Sequence, residues 1–395
     1  MDKIRPTLVV FQGGAFASAP LENLVASVQA AAALDLLRKA ADTGAFSSAF
    51  LVTEDTPLAA GASSLDTGTP LTVVTSQDLL GSDTWDFHFG NALMALCRRY
   101  GLERVVYVGG GAMPLGTGAD LRDLALAASG DAYCVVSNNL FSSDMCAFWP
   151  ASALDRLALP PNDNNLPWLL HHQAGLPFAQ LPRSLATQFD IDTPTDLATL
   201  LWSTRLPPFR GVLGPALAEA LEEIPTRLPA LAGALEQAYR VMETRRAEVL
   251  LAGRVSSWVW RRLEANLPCQ TRIFSEERGM RASGREARGE ARSLLGFYTD
   301  LAGISGLMHA LEQTCNAAFL DTRVLFAHRG LKPSAHDRFA SDALMPEEIT
   351  DPWIRELTEA ALSAQVPIVL GGHSLISGGV WALSERVRSS SSAAG

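Results

Sequence analysis

The sequence predicts an α/β fold with a Rossmann-like, mostly parallel sheet, followed by a second domain that is helical and α/β. Short apolar runs, such as residues 7–11 and 104–108, alternate with Ala- and Leu-rich segments of helical periodicity. These runs are mainly apolar and do not alternate strictly with polar residues, which indicates strands that are covered on both faces. A Pro- and Gly-rich segment at residues 203–215 predicts the boundary between the two domains.

Each half of the chain contributes its own series of predicted elements. For the first half these are strands at 7–11, 50–53, 71–74, 104–108 and 132–136, and helices at 20–42, 86–100 and 118–129. For the second half they are helix over 216–266 with breaks at Pro225 and Pro229, helices at 290–314 and 351–364, and strands at 317–320, 324–327 and 366–370. The predicted domains are therefore residues 1–205 and 206–388, with a low-complexity, disordered tail at 389–395.

Composition excludes several classes of protein. Hydrophobic residues make up 48% of the chain and charged residues 19%, as in globular proteins with a sizeable core. A run of about 18 apolar residues is missing, so we expect no membrane partner. The net charge is −10 and neither half is basic, which argues against nucleic acid as a partner. The five cysteines include no CxxC pair, which fits a cytoplasmic protein better than a disulfide framework or a zinc ribbon.

Two acids with one residue between them form the most informative local motif. Asp190 and Asp192 precede Thr193, which is suited to cap a helix that starts with Pro194. Carboxylates near the mouth of a loop suit Mg²⁺, which binds one or two of them together with substrate phosphates. The motif therefore predicts Asp190 and Asp192 as Mg²⁺ ligands, and the alternative is a plain helix start with solvated acids.

Three phrases in the first half resemble GT-A-like nucleotidyltransferases, which include the molybdenum-cofactor guanylyltransferases and the phospholactate guanylyltransferases. They are the run from Phe189 to Leu197 with its DIDTPTDL sequence, the run from Val105 to Leu115, and Val136–Asn139 followed by Phe148–Ala151. The resemblance covers residues 5–202, and residues 206–395 resemble no family that we recognise. It implies a nucleotide-binding α/β domain and Mg²⁺-dependent transfer of a nucleoside phosphate.

The same comparison exposes two departures from the family's catalytic pattern. The central metal-binding Asp of the family falls on Ala112, and alanine cannot ligate a metal. The opening loop at residues 11–20 holds no Arg or Lys to neutralise a triphosphate. Asp144 and Asp120 are the acids that we consider as replacements for the missing carboxylate. The catalytic motifs are thus degenerate.

Glycines at the ends of predicted strands provide candidate nucleotide-binding residues. Glycine lets the backbone approach a ligand closely, and open α/β sheets bind ligands at the carboxyl ends of their strands. A tight turn between strand and helix is the alternative explanation for the triple glycine. The candidate nucleotide-binding residues of the first half are Gly13, Gly14, Gly109, Gly110, Gly111, Asn138 and Asn139.

The second half contains a strand that runs into Gly371-Gly372-His373-Ser374. Its amides and hydroxyls are suited to hold a phosphate or a carboxylate at a helix N-terminus. Arg323 belongs to a nearby set of Asp, His and Arg residues for which we consider an acid–base pair, a metal site, or a buried ion pair between Asp321 and Arg323. The Arg-rich segment 272–292 is interpreted either as a loop that closes on an anion or as a solvated, salt-bridged surface.

Two functions of different classes follow from these patterns. The first is an enzyme, a nucleotidyltransferase that joins a nucleoside phosphate to a small acidic or phosphorylated acceptor, with Asp192 and His373 as catalytic candidates. The second is a binding protein or scaffold whose nucleotidyltransferase fold has lost its triphosphate chemistry. In that case the second domain would provide either homo-oligomerisation or a separate activity. Both functions imply a nucleotide or another phosphorylated small molecule as partner.

Overall fold

A computed structural model describes residues 4–13, 19–81, 87–205 and 207–393, with side chains described as far as Ser389. The chain forms two compact units. Unit 1 comprises Met1–Phe16, Ala26–Asp190 and Gly214–Leu217, and unit 2 comprises Ala17–Val25, Ile191–Leu213 and Ala218–Gly395. Within the described ranges, no helix combines the length and the apolar composition that a membrane crossing requires.

Unit 1 is built on a seven-stranded sheet with the order β3-β2-β1-β4-β6-β5-β7. Its strands are β1 (Thr7–Phe11), β2 (Ser48–Val52), β3 (Leu71–Val74), β4 (Val105–Gly109), β5 (Cys134–Ser137), β6 (Met145–Trp149) and β7 (Phe178–Gln180). All neighbours pair in parallel except β6, which runs antiparallel to both β4 and β5. The predicted α/β fold class with a mostly parallel sheet is confirmed.

Two apolar cores cover the two faces of this sheet. Leu8 and Val10 of β1 belong to one buried cluster, together with Leu36, whereas Val9 belongs to the other, together with Leu93. Successive side chains of a strand point to opposite faces, so both faces of β1 are covered by protein. This arrangement explains why the strand reads as a continuous apolar run.

Within the described residues, seven α-helices accompany the strands of the first sheet. They are α1 (Pro20–Thr43), α2 (Thr56–Ser63), α3 (Ser76–Leu80), α4 (Phe89–Tyr100), α5 (Gly118–Ala127), α6 (Leu166–His172) and α7 (Leu185–Gln188), and a 3₁₀ helix spans Ala151–Arg156. Several of these helices begin with a side chain that caps their N-terminus. Thr117, for example, forms a reciprocal capping box with Asp120 at the start of α5.

Unit 2 contains a four-stranded, fully parallel sheet with the order β11-β10-β8-β9. Its strands are β8 (Glu248–Gly253), β9 (Gln270–Ser275), β10 (Ala317–Asp321) and β11 (Ile368–Gly371). The chain runs outward from β8 to β9 and then returns to β10 on the other side of β8. The carboxyl ends of β8 and β10 therefore flank a point where the strand order reverses, and open α/β sheets bind ligands in such crevices.

Helices pack around the second sheet as they do around the first. They are α8 (Pro194–Thr204), α9 (Pro215–Glu222), α10 (Ile224–Arg227), α11 (Pro229–Met242), α12 (Ser257–Asn266), α13 (Leu294–Thr314), α14 (Thr322–His328), α15 (Ala335–Asp342), α16 (Pro352–Ser363) and α17 (Val380–Ala393). A 3₁₀ helix spans Pro346–Glu348 and a π-helical turn spans Leu375–Gly379. Helix α13 is kinked at Gly303, where φ is 73°.

A carboxylate of α1 holds the start of α9. Asp35 accepts hydrogen bonds from the backbone amides of Leu217 at 2.8 Å and Ala216 at 3.3 Å. Its carboxylate also pairs with Arg38 at 2.7 Å and is 2% exposed. A Cβ at Gly214 would lie 2.2 Å from Cγ of Asp35, so only glycine fits this approach. Residues 214–217 are therefore tied to unit 1 although the preceding segment belongs to unit 2.

Three sequence-based predictions differ from the structure. Residues 248–253 form β8, although the sequence predicted helix throughout 216–266, because β8 is a short, buried parallel strand rich in Leu and Ala. Residues 324–327 lie in α14 and not in a strand, since the chain turns into a helix directly after Asp321. Residues 389–393, which were predicted as a disordered tail, continue α17, where the Ser389 hydroxyl donates to the Glu385 carbonyl at 2.9 Å.

After Ala26 the chain passes between the two units three times, after Asp190, after Leu213 and after Leu217. The change after Leu213 falls within the proline-rich segment 203–215, whereas the change after Asp190 assigns α8 to unit 2. Helix α8 is tied to that unit by Thr195, whose hydroxyl donates to the carbonyl of Leu370 in β11 at 2.7 Å.

Candidate functional site

The carboxyl ends of the parallel strands of unit 2 bring several charged side chains together. Arg254 follows β8, Asp321 ends β10, and His373 and Ser374 follow β11. Parallel strands end at the same edge of a sheet, so residues that are far apart in sequence become neighbours there. The sequence predicted His373, Ser374 and the flanking glycines as candidates but missed Arg254.

Arg254 and Asp321 form a closely fitted ion pair. The Arg254 Nε donates to Asp321 Oδ2 at 2.6 Å and Nη2 donates to Oδ1 at 3.0 Å, while its backbone amide donates to the same carboxylate at 3.3 Å. The Asp321 side chain is fully buried and the Arg254 side chain is 12% exposed. Desolvation alone would raise the pKa of Asp321, but the charge and hydrogen bonds of Arg254, together with smaller contributions from His373 and Arg323, hold this pKa below its usual range.

Gly253 makes this approach possible. Its φ is +119°, and a Cβ there would lie 2.4 Å from the Cβ of Asp321. A side chain at this position would therefore push Asp321 away from Arg254. The glycine is required by the ion pair itself, which gives a physical reason for a Gly-Arg sequence at the end of β8.

A second buried ion pair joins Arg323 and Asp342. The two Nη atoms of Arg323 donate to the two carboxylate oxygens of Asp342, with Nη1 at 2.8 Å from Oδ1, and both side chains are buried. The sequence interpretation of a buried ion pair between Asp321 and Arg323 is thus wrong in its partners. Each residue pairs with a residue of another segment, because the chain turns into α14 directly after Asp321.

The loop after β11 passes close to Arg323, with room for a Cβ at Gly372. A Cβ at Gly372 would be in ordinary contact with the Arg323 guanidinium, at 3.8 Å from Nε, and with Thr193 at 3.7 Å. Gly371 accepts from the Thr322 hydroxyl at 3.3 Å. The predicted residues Arg323, Gly371, Gly372 and Ser374 therefore share one part of unit 2.

His373 is exposed to solvent, and several charged groups act on its ring. Its pKa is lowered to about 4, first by desolvation and then by Arg254, with smaller contributions from Arg278 and Arg281 that Asp321 opposes. At neutral pH the imidazole is therefore uncharged and can both donate and accept a hydrogen bond.

The start of α8 supplies acidic groups to unit 2. Asp196 accepts from the Thr193 amide at 2.8 Å, the Thr193 hydroxyl at 2.9 Å and the Asp192 amide at 3.1 Å. Burial raises the pKa of Asp196 to about 7, and the nearby Asp192 adds to the rise. Asp192 itself is exposed.

Most arginines of the segment 272–292 are paired with acids. Arg272 pairs with Glu248, Arg281 with Glu286, Arg285 with Glu277 and Arg288 with Glu290, at 2.7 to 2.9 Å. Arg278 is exposed and forms no ion pair with any residue that the structure describes. For most of the segment the salt-bridged interpretation therefore agrees with the structure.

In unit 1, the triple glycine forms the turn after β4. Gly110 donates its amide to the Phe11 carbonyl at 2.9 Å, and Gly109 donates to the Asp144 carbonyl at 2.8 Å. A Cβ at Gly110 would lie 1.9 Å from Oε1 of Gln12, whereas the nearest atoms to a Cβ at Gly109 are 3.5 Å away. The space beside Gly110 is filled by Gln12, which accounts for glycine at this one position.

Asp190 lies beside this turn. Its backbone forms an isolated antiparallel bridge with Ala112, so Asp190 and the position of the family's metal-binding Asp are neighbours within unit 1. Asp144 directly precedes β6 and lies at the same edge of the sheet, where its carbonyl accepts from the Gly109 amide. The carboxylate of Asp163 accepts from the Tyr107 hydroxyl at 2.7 Å. Burial and these two acids raise the pKa of Tyr107.

The remaining candidate residues of unit 1 are engaged within the protein. Asn138 donates its side-chain amide to the Thr187 carbonyl at 2.9 Å and accepts from Ser143 at 2.8 Å. The Asn139 side chain accepts from the Phe141 amide at 3.1 Å. Gly13 accepts from the Gln12 side chain at 3.0 Å. Gly14 lies outside the described residues.

The predicted site residues therefore divide between the two units. Asp192, Arg323, Gly371, Gly372, His373 and Ser374 lie in unit 2, and Gly13, Gly109, Gly110, Gly111, Asn138, Asn139 and Asp190 lie in unit 1. Among the acids considered as replacements at position 112, Asp120 is engaged in capping α5, whereas Asp144 adjoins the glycine turn. Over the described ranges, no three His, Cys, Asp or Glu side chains are placed to hold a metal.

Asp163 and Arg254 are the site residues that the sequence did not indicate. Asp163 lies in a loop of Pro, Asn and Asp residues with no motif of its own. Arg254 follows an apolar run and a glycine, which is the signal of a strand end, but this signal lay inside a segment that was interpreted as helix.

Comparison with known proteins gives structural neighbours only. No family model and no curated protein matches the chain. A cytidylyltransferase from Leptospira borgpetersenii matches with 14% identity and a TM-score of 0.37, covering 57% of this chain and 96% of its own. The protein Rv0371c from Mycobacterium tuberculosis matches with 20% identity and a TM-score of 0.35, over 50% of this chain and 96% of its own.

A third solved structure is a CMP:2-keto-3-deoxy-manno-octonic acid synthetase complexed with CTP. It matches with 11% identity and a TM-score of 0.34, and the match covers 51% of this chain and 100% of the synthetase chain. All three similarities extend over about half of this chain at low identity. With TM-scores of 0.34 to 0.37, these similarities carry no conclusion about the fold or the activity of this chain.

Proposed function

We propose that the protein binds a nucleotide, or a closely related phosphorylated small molecule, in unit 1, as a nucleotidyltransferase-like transferase would. The observation that carries the proposal is the bridge between Ala112 and Asp190 beside the Gly109–Gly111 turn. It supports a crevice at the carboxyl edge of a mostly parallel sheet, where such sheets bind ligands. The acceptor would be a small acidic or phosphorylated molecule.

The residues of unit 1 would contribute mainly backbone groups and acids. The turn after β4 offers amides that approach a ligand closely, and Asp190 and Asp144 would face the phosphates. Like charges would repel one another there, and the opening loop has no basic residue to compensate. Binding of a triphosphate would therefore require a cation.

Mg²⁺ would supply that positive charge and would hold the phosphates for transfer. The residues present do not form a complete protein cage for it, since the described residues contain no group of three potential ligands. One or two carboxylates are sufficient for Mg²⁺ when phosphates complete its coordination. Asp190 is the residue that would bind it, so we expect Mg²⁺ to bind together with the nucleotide and not alone.

The second candidate is a catalytically degenerate fold that serves as a scaffold. It is favoured by Ala112, which offers no carboxylate opposite Asp190, and by Gln12, which fills the space beside Gly110. In this case any activity would lie in unit 2. We further infer a cytoplasmic location, because the five cysteines are unbridged, as in proteins of a reducing compartment.

A thermal-shift panel of nucleoside triphosphates, with and without Mg²⁺, tests the proposal. A ligand that binds only the folded state stabilises it, by about 2.7 kcal/mol at 100 times its Kd. We expect Asp190→Asn to reduce the Mg²⁺-dependent shift and Asp131→Asn, which changes an exposed acid of unit 1, to leave it unchanged. A melting temperature that no nucleotide raises would refute nucleotide binding and favour the scaffold.

A further inference from the structure

The first turns of α13 expose a row of large apolar side chains. Leu294, Phe297, Tyr298 and Leu301 follow one another at spacings of three or four residues or lie side by side, so they share one face of the helix. Their exposed fractions are 66%, 52%, 42% and 89% in the part of the chain that the structure describes. A helix of a globular domain usually buries its apolar face, whereas this face is open to solvent. We call these four side chains the α13 stripe.

The helix that carries the stripe is held by its opposite face. The Ser293 hydroxyl accepts from the Gly296 amide at 2.9 Å and donates to Glu276 at 2.5 Å, which fixes the start of the helix. His328 Nδ1 accepts from the Ser293 amide at 3.1 Å, and its Nε2 lies 3.0 Å from Asp300 Oδ2. A Cβ at Gly296 would lie 2.5 Å from Cδ2 of His328, so the helix packs directly on this ring. The stripe is therefore a preformed surface, which lowers the entropic cost of binding.

The exposed area of the stripe is large for a single chain. At roughly 200 Å² for a whole large side chain, the four residues expose on the order of 500 Å² of mostly apolar surface. The largest apolar patch on a typical monomer is about 300–600 Å² and often marks an interaction site. A stable dimer buries about 800 Å² per partner, with an apolar centre and a polar rim. The stripe therefore has the size of the centre of such an interface.

The order of the four side chains suits a second copy of the same chain. Read from either end, the stripe is leucine, aromatic, aromatic, leucine, with its centre between Phe297 and Tyr298. A two-fold axis through that centre makes the two helices antiparallel. It places Leu294 against the partner's Leu301, and Phe297 against the partner's Tyr298. Such a contact uses the same patch on both copies, as the interface of a two-fold symmetric homodimer does.

Charges at the two ends of the stripe agree with this arrangement. Arg292 precedes the stripe, Asp300 adjoins its last residue, and positions 293–299 carry no charged side chain. In the antiparallel pair, Arg292 of each copy lies towards the partner's Asp300, so the ends attract each other. Asp300 already pairs with Arg329 of its own chain, but a carboxylate has about four acceptor positions and can take a further donor. Helices that lie on membranes instead carry many Lys and Arg residues beside their apolar face, so the charges favour a second copy over a lipid surface.

We propose that the protein forms a two-fold symmetric dimer in which the α13 stripes of two copies cover each other. The aromatic rings occupy the centre of the interface, and a leucine pair lies on either side of them. The interface belongs to unit 2 and does not depend on nucleotide binding in unit 1. It gives the second half of the chain a role in homo-oligomerisation.

Sedimentation velocity of the full chain over a wide range of concentrations tests the dimer. We expect Leu301→Glu to raise the dimer dissociation constant by about a hundredfold or more, because symmetry brings two new carboxylates into one apolar interface. Leu126→Glu is the matched control, since Leu126 is a leucine of α5 in unit 1 that is 53% exposed. We expect this control to stay within about twofold of the parent chain. Circular dichroism and the melting temperature check that both variants are folded.

Disulfide trapping tests the antiparallel register by a second readout. A mixture of Leu294→Cys and Leu301→Cys chains should form disulfide-linked dimers faster than either variant alone, because the two-fold axis places these positions opposite each other. The native cysteines are buried or partly buried, and the parent chain measures their background. Each variant linking to itself as readily as to the other would contradict the register.

Three further results would overturn the proposal. They are a chain that stays monomeric at every concentration, a dimer that Leu301→Glu leaves intact, and a dimer that Leu126→Glu weakens as much as Leu301→Glu does. Binding of the monomeric parent chain, but not of Leu301→Glu, to phosphatidylcholine vesicles would assign the stripe to a lipid surface and refute the dimer. Asp190→Asn should leave the dimer unchanged, so failure of this interface and failure of the proposed nucleotide site are distinguishable.

Discussion

Replacement of Gly110 by alanine should distinguish a packing role from a ligand-binding role for the glycine turn. The new Cβ would lie 1.9 Å from Oε1, 2.7 Å from Cδ and 2.8 Å from Cβ of Gln12. The amide end of Gln12 can rotate away, but its Cβ moves only with the backbone of β1. That backbone is held by the hydrogen bond from Gly110 to Phe11 at 2.9 Å. Overpacking of this kind costs about 1–3 kcal/mol, and we expect about 2 kcal/mol for Gly110→Ala.

Gly109 is the matched control for this experiment. A Cβ there meets no atom closer than 3.5 Å, so Gly109→Ala should change the free energy of unfolding by less than about 1 kcal/mol. The double variant Gln12→Ala/Gly110→Ala should recover part of the loss, because it removes Oε1 and Cδ but keeps the Cβ at position 12. Urea unfolding followed by circular dichroism measures all four proteins. The reasoning fails if Gly110→Ala is as stable as Gly109→Ala.

The remaining predictions concern unit 2. Asp342→Asn should cost about 3–5 kcal/mol of unfolding free energy, because it leaves the charge of Arg323 buried without its partner. Glu236→Gln, in an exposed pair, should cost about 0.5 kcal/mol or less in the same urea titration, and equal costs would contradict the argument. The pKa of Asp196 is raised to about 7 in the folded state, against an ordinary value of 3.8. The folded state therefore binds this proton more tightly than the unfolded state does, which stabilises the fold at low pH. This contribution is lost as the pH rises from about 4 to about 7. Asp196→Asn has no titrating group at this position, so its free energy of unfolding should rise relative to that of the parent chain between about pH 4 and pH 7. A difference that stays constant over this range would refute the shifted pKa.

The local sequence pattern was sufficient to predict those strands whose pattern is typical of one type of secondary structure only. The strands at 7–11 and 71–74 coincide with β1 and β3, because each is an apolar run bounded by polar or turn residues. Strand β8 was not predicted from the sequence, because Leu and Ala are good helix formers and the run is only six residues long. Its strand state depends on pairing with β9 and β10, which lie far away in sequence, and local propensity carries no information about them.

The candidate site shows the same limit at the level of single residues. Sequence indicated His373, Arg323 and the glycines of the β11 loop, since unusual polar and glycine density is visible in one segment. The pairing of Arg254 with Asp321 joins residues 67 positions apart and follows only from the order of the strands. A list of charged residues therefore predicts the members of such a cluster better than it predicts their partners.

The hold of Asp35 on residues 214–217 has a practical consequence for anyone who wishes to study the two halves separately. A fragment that stops at residue 205 would remove the two amides that donate to this buried carboxylate. It would also retain α8, whose packing belongs to the other half. Such a truncation would leave the buried Asp35 carboxylate with Arg38 but without its two amide donors, so its failure to fold would say nothing about whether the halves are autonomous. To express unit 1 separately, residues 214–217 would have to be joined to the segment that contains Asp35, and truncation at one position cannot do this.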